Sequence, residues 1–120
     1  MTSDRDRLSW HVAEDGNTIG QLGSEEGVIV EDEEHEDGAR ITLERRDGKP
    51  AQFAITCGVY GWFMHTRLFS SEDEGRKNLV LMKTELVGII DLISQINLGK
   101  QENDSVVLRA IEQFVERFPT

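Results

Sequence analysis

The sequence has one cysteine, two prolines and one tyrosine in 120 residues, and only 13 Lys and Arg against 23 Asp and Glu. Each shortage excludes something. A single Cys cannot form an internal disulfide, so a stapled secreted scaffold is out. At a net charge of −10 the chain lacks the clustered cations that nucleic-acid phosphates demand, and a basic partner suits it better. No long apolar run exists. The richest stretch, 51–69, contains Gln52, Gly58, Gly61, His65 and Arg67, which argues against a membrane span. The opening MTSDRDRLSW has no apolar core of the kind a secretory signal needs. The expectation is a soluble, cytoplasmic protein in a reducing setting. The length suits a single domain over 1–120.

What is present falls into two kinds of pattern. Residues 1–24 carry charge and glycine with few apolar anchors, and read as an irregular arm with one short strand near 8–13. Val28, Ile29 and Val30 are three β-branched residues in a row and predict a short strand that ends in an acidic turn. Segment 39–46 alternates, with Ile41 and Leu43 on one face and Arg40, Thr42, Glu44 and Arg46 on a wet one. Asp47-Gly48 supplies a hairpin turn. Strands are expected over 52–57 and 62–68, with Gly58 and Gly61 marking a turn or bulge between them.

Beyond Phe69 the period changes. Ser71 with Glu74 forms a capping box. Leu79, Met82, Leu86, Ile89, Ile93 and Ile96 then recur at helical spacing, widened by Leu81, Val87, Ile90 and Leu92, up to a Gly99 cap. Asn103 or Asp104 can cap a second helix with Val107, Ala110, Ile111, Phe114, Val115 and Phe118 on its apolar face, ended by Pro119. The fold class is α+β. An antiparallel meander of about four or five strands is followed by two C-terminal helices packed on one face.

Three groups of residues invite chemistry. Segment 25–38 holds eight carboxylates in fourteen positions. It reads as an acidic docking surface, as a solvated turn, or as a hard-cation loop, although its spacing fits no EF-hand. His35 within it reads as an exposed turn residue that could respond to pH. Cys57 and His65 suggest a nucleophile and base, but Cys57 shares its face with Phe53 and Ile55 and reads as a core residue. Tyr60, Trp62, Phe63, Met64 and Phe69 exceed what one strand face can bury, so part of the set needs cover from the arm at Trp10 or from a second copy in a homodimer. No catalytic set, metal site or cofactor motif is assigned.

The acid-flanked segment VIVEDEEHEDGARITLE, followed by FAITCGVYGWFMHTRLF and the helix opening SSEDE, resembles small bacterial immunity proteins of polymorphic-toxin systems. The resemblance covers roughly residues 25–90. It implies a non-enzymatic protein that binds and blocks a basic toxin, for which opposite charge speeds encounter. The expected partner-binding residues are Glu31, Asp32, Glu33, Glu34 and Asp37, with Tyr60 and Trp62 as aromatic anchors. Two other readings stay open. One is a small-molecule sensor or enzyme with a pocket between sheet and helices, using Cys57, His65 and Arg67; the other is a structural homodimer. The charge excess is local: residues 1–60 hold 14 acids and 6 bases, against 9 and 7 in the remainder.

Overall fold

The computed structural model describes residues 9–99 and 104–120. Leu8 of the expected first strand and Asn103 as a cap lie outside the described residues. Five strands form one antiparallel sheet in sequence order: β1 (Trp10–Val12), β2 (Val28–His35), β3 (Ala39–Arg45), β4 (Phe53–Val59) and β5 (Phe63–Phe69). Two helices follow, α1 (Glu72–Asn97) and α2 (Ser105–Arg117), both on one side of the sheet. The α+β meander with covering helices is therefore the fold.

Period-two alternation sorts the sheet into two faces. Ile41 and Leu43 of β3 and Phe53, Ile55, Cys57 and Val59 of β4 are buried on the helix side. They meet Leu79, Met82, Leu86, Ile89 and Ile90 of α1 in one core. Ser71 caps α1, its hydroxyl accepting a bond from the Glu74 N–H at 3.3 Å, and Gly99 closes the helix at a φ of +76°. Leu81, expected on the buried stripe, is exposed; so is Val115 of α2. Phe114 and Phe118 carry α2 onto α1 and onto β5, where Phe63 meets Phe114 edge to face at 5.5 Å.

Several expectations change. The acidic run is a strand and not a turn: β2 continues through it to His35, and only residues 36–38 turn. An extra residue at Val30 shifts the register between Ile29 and Glu31. Beyond that bulge Glu31, Glu33 and His35 point to the helices, while Asp32 and Glu34 point to the back. Helix cations meet the first two, which is why a strand so rich in carboxylates is stable. Arg76 donates to Glu31 at 3.2 Å, and Lys83 reaches both oxygens of Glu33 at 2.9 Å while lying over the Trp10 ring. His35 is buried rather than exposed, stacked edge-on against Trp10, its Nδ1 accepting the Asp37 N–H. Trp10 therefore packs on the helix side and leaves Met64 uncovered. Gly58 belongs to β4; the turn consists of Tyr60, Gly61 and Trp62. Asp47-Gly48 sits at the centre of a longer connection, in which Lys49 N–H returns to the Arg46 carbonyl. The arm is ordered where described. It forms β1, makes a 3-10 turn (Ala13–Gly16) and doubles back along β2 through paired bonds between Gly20, Gln21 and Ile29.

A candidate binding cleft on the back of the sheet

The face expected to be wet is partly roofed. Glu44 of β3 is fully buried there. Its Oε1 accepts the Gly27 N–H at 3.0 Å and the Glu25 N–H at 3.1 Å, so one carboxylate fastens the loop before β2 onto the sheet. The fit requires glycine on both sides. A Cβ at Gly23 would lie 2.4 Å from the Glu44 carboxyl carbon, and one at Gly27 would lie 2.8 Å from the Arg45 carbonyl oxygen. Burial pushes the Glu44 carboxyl up; the two N–H bonds oppose this without reversing it.

Asp32 is the second anchor. Arg40 grips it with two bonds, Nε to Oδ1 at 3.0 Å and Nη2 to Oδ2 at 2.7 Å. Thr42 and Thr18 add hydroxyl bonds at 3.0 and 2.7 Å, Thr18 reaching in from the arm. Burial alone would raise this carboxyl, but the bonds from Arg40, Thr18 and Thr42 and the Arg40 charge outweigh it and hold it below the ordinary range. The Arg40 guanidinium is held further up by the same pairing.

Register places Asp32, Thr42, Thr56 and Thr66 in one line across β2 to β5. Next to it lie Glu34, Arg40, Gly58 and Met64. Gly58 leaves that second line open: a Cβ there would meet the Phe63 carbonyl oxygen at 2.2 Å. The bare backbone forms the floor of a cleft of about 760 Å³, with Thr42, Glu44 and Thr56 among its polar walls. Its rim is apolar and open to water, with Leu22 at 75%, Tyr60 at 59% and Met64 at 78% exposure and Trp62 half-buried beside them. Tyr60 donates its hydroxyl to Glu34 at 3.3 Å.

The expected site residues thus divide. Tyr60 and Trp62 line this cleft, and Glu34, outside its lining, is joined to it by the Tyr60 hydroxyl. Asp32 lies beneath it, its side chain sealed from solvent and engaged by Arg40. Glu31 and Glu33 face the other side and pair with α1. Asp37 is exposed in the β2–β3 turn. Gly58 was expected in a turn or bulge and Glu44 on a wet face, and neither they nor Leu22 were among the expected site residues.

Cys57 and His65 are direct neighbours on β4 and β5, on the helix side. Burial pushes the Cys57 thiol up to about 12, the reverse of what a nucleophile needs, and His65 Nε2 donates to the Phe118 carbonyl at 2.5 Å. Among the described residues, no three His, Cys, Asp or Glu side chains converge as a metal site, and no helix is long and apolar enough to cross a membrane. Comparison with protein-family models, curated proteins and solved structures finds no match to this chain.

Proposed function

We propose that the protein is a non-enzymatic binding module of the immunity or antitoxin kind, and that its back-face cleft receives a basic, apolar-flanked segment of a partner protein. The observation that carries this is the rim. Leu22, Tyr60 and Met64 expose apolar surface together around a concavity, where scattered exposure would need no explanation. Charge supports the choice of occupant. The cleft is built mostly from the half of the chain with 14 acids against 6 bases, and its one guanidinium, Arg40, is already neutralised by Asp32. Glu31 and Glu33 are paired with helix cations on the other face, so contact falls to Tyr60 and Trp62, with Glu34 beside Tyr60.

The test is selection from a displayed library of random short peptides, with binding read by Trp62 fluorescence in a Trp10→Phe background. Enriched peptides should carry Lys or Arg beside an aromatic or aliphatic residue. Tyr60→Ala and Leu22→Ala should each weaken them about tenfold. Enrichment of acidic peptides, or affinity indifferent to both substitutions, overturns the reading. The cleft volume also falls in the range of small-molecule pockets. Failure of every peptide beside saturable binding of a small apolar dye would transfer the cleft to that class.

A further inference from the structure

Strand β5 is a sheet edge, and of the devices by which edges avoid other chains it keeps only the charge of Arg67 on its helix side. The opposite edge, β1, is three residues long. Strand β5 runs for seven residues, Phe63–Phe69, with no proline, no glycine and an unbroken register against β4. Among the described residues, no backbone bond outside the β4–β5 ladder involves it. Met64 and Leu68, its back-face residues on either side of Thr66, are both exposed.

The sequence of this edge is a chemical palindrome. Around Thr66, Met64 mirrors Leu68, His65 mirrors Arg67 and Phe63 mirrors Phe69. An antiparallel strand pairing with a copy of itself about Thr66 sets each residue opposite its mirror partner, on the same face. We infer that β5 pairs with β5 of a second copy about a two-fold axis at Thr66, joining two five-stranded sheets into one. Met64 then covers Leu68 of the second copy, and the aromatic ends meet in the same way.

Charge agrees with this occupant. In a chain of net charge −10, Phe63–Phe69 contains no acid, so no carboxylate of this strand opposes another across the axis. His65 and Arg67 lie on the helix side and are held within their own chain, His65 Nε2 donating to the Phe118 carbonyl and Arg67 Nη1 to the Pro119 carbonyl.

The pairing shares Met64 with the cleft rim, whereas Leu68 stands outside the cleft, so an effect of Leu68→Lys on self-association separates the pairing from cleft binding. Sedimentation of the full chain tests it. The wild type should show twice the 13.6 kDa monomer mass. Met64→Glu and Leu68→Lys, both at exposed positions, should each weaken self-association about tenfold or more while leaving the circular dichroism spectrum unchanged. The double variant should recover the dimer, because the register sets the new acid of one copy against the new base of the other. A monomeric wild type at high micromolar concentration overturns the inference. So does a dimer indifferent to the single substitutions, or a double variant without recovery.

Discussion

Asp32 and Arg40 lie diagonally across β2 and β3 and exchange two charge-assisted bonds on the face away from the helices. Thr18 of the arm joins the same carboxylate. One acid therefore ties the arm, two strands and the cleft's only guanidinium together. Asp32→Asn should cost about 2–3 kcal/mol in urea denaturation, below the full value of a buried pair because Arg40 is partly solvated. Asp32→Asn combined with Arg40→Met should cost less than the single change, since no charge is then stranded.

Glu44 has the opposite linkage. Its carboxyl is raised in the folded state, so its contribution is present below the ordinary carboxylate range and is lost as pH rises through the raised value. Asp32, held low, contributes above the ordinary range and loses that contribution as pH falls through its lowered value. Glu44→Gln keeps an acceptor for Gly27 and Glu25. It should match or exceed the wild type near neutral pH, within about 1 kcal/mol, and lose that advantage in acid. Denaturation curves at the two pH values check the sign.

Two glycines should respond in opposite directions. Gly58→Ala drives a methyl into the Phe63 carbonyl and should cost about 3 kcal/mol or more. Gly88, inside α1, has open space at the same position, so Gly88→Ala should add about 0.5–1 kcal/mol. Thermal melts of the two variants should shift in opposite senses.

The Cys57 thiol should be inert in the native protein. Burial holds it at about 12, so a thiol reagent near neutral pH should label it only through opening of the sheet. Urea below the unfolding transition should raise the labelling rate. A rate equal to that of a free thiol without denaturant would mean that β4 is accessible.

Strands β3 and β4 and helix α1 were legible because their apolar residues keep a period, and Ser71 with Glu74 marked where that period changes. Strand β2 was not. Carboxylates have low strand propensity, and the cations that make them tolerable, Arg76 and Lys83, stand 45 and 50 positions away. Glu44 sat on a face that alternation assigns to water. Its partners are backbone N–H groups, which side-chain identity does not reveal. Tyr60 and Trp62 were singled out from their type, but Leu22 reached the same rim only because the arm doubles back along β2. The exposed helix residues Leu81 and Val115 show the reverse error, since a sequence stripe does not say how wide a groove receives it.

The bulge at Val30 has a consequence for how this chain tolerates change. Side chains on a strand alternate, so one residue more or fewer in a regular ladder turns every residue beyond it to the other face. Val30 is the residue that the ladder leaves unpaired, so removing it would bring Glu31 directly after Ile29 and keep Ile29 opposite Glu44 and Glu31 opposite Leu43. Every ion pair that β2 makes would keep its partner. The same loss between Asp32 and His35 has no unpaired residue to absorb it and would turn the residues beyond it to the wrong side. The length of this segment is therefore constrained along the acidic run and free at its bulge.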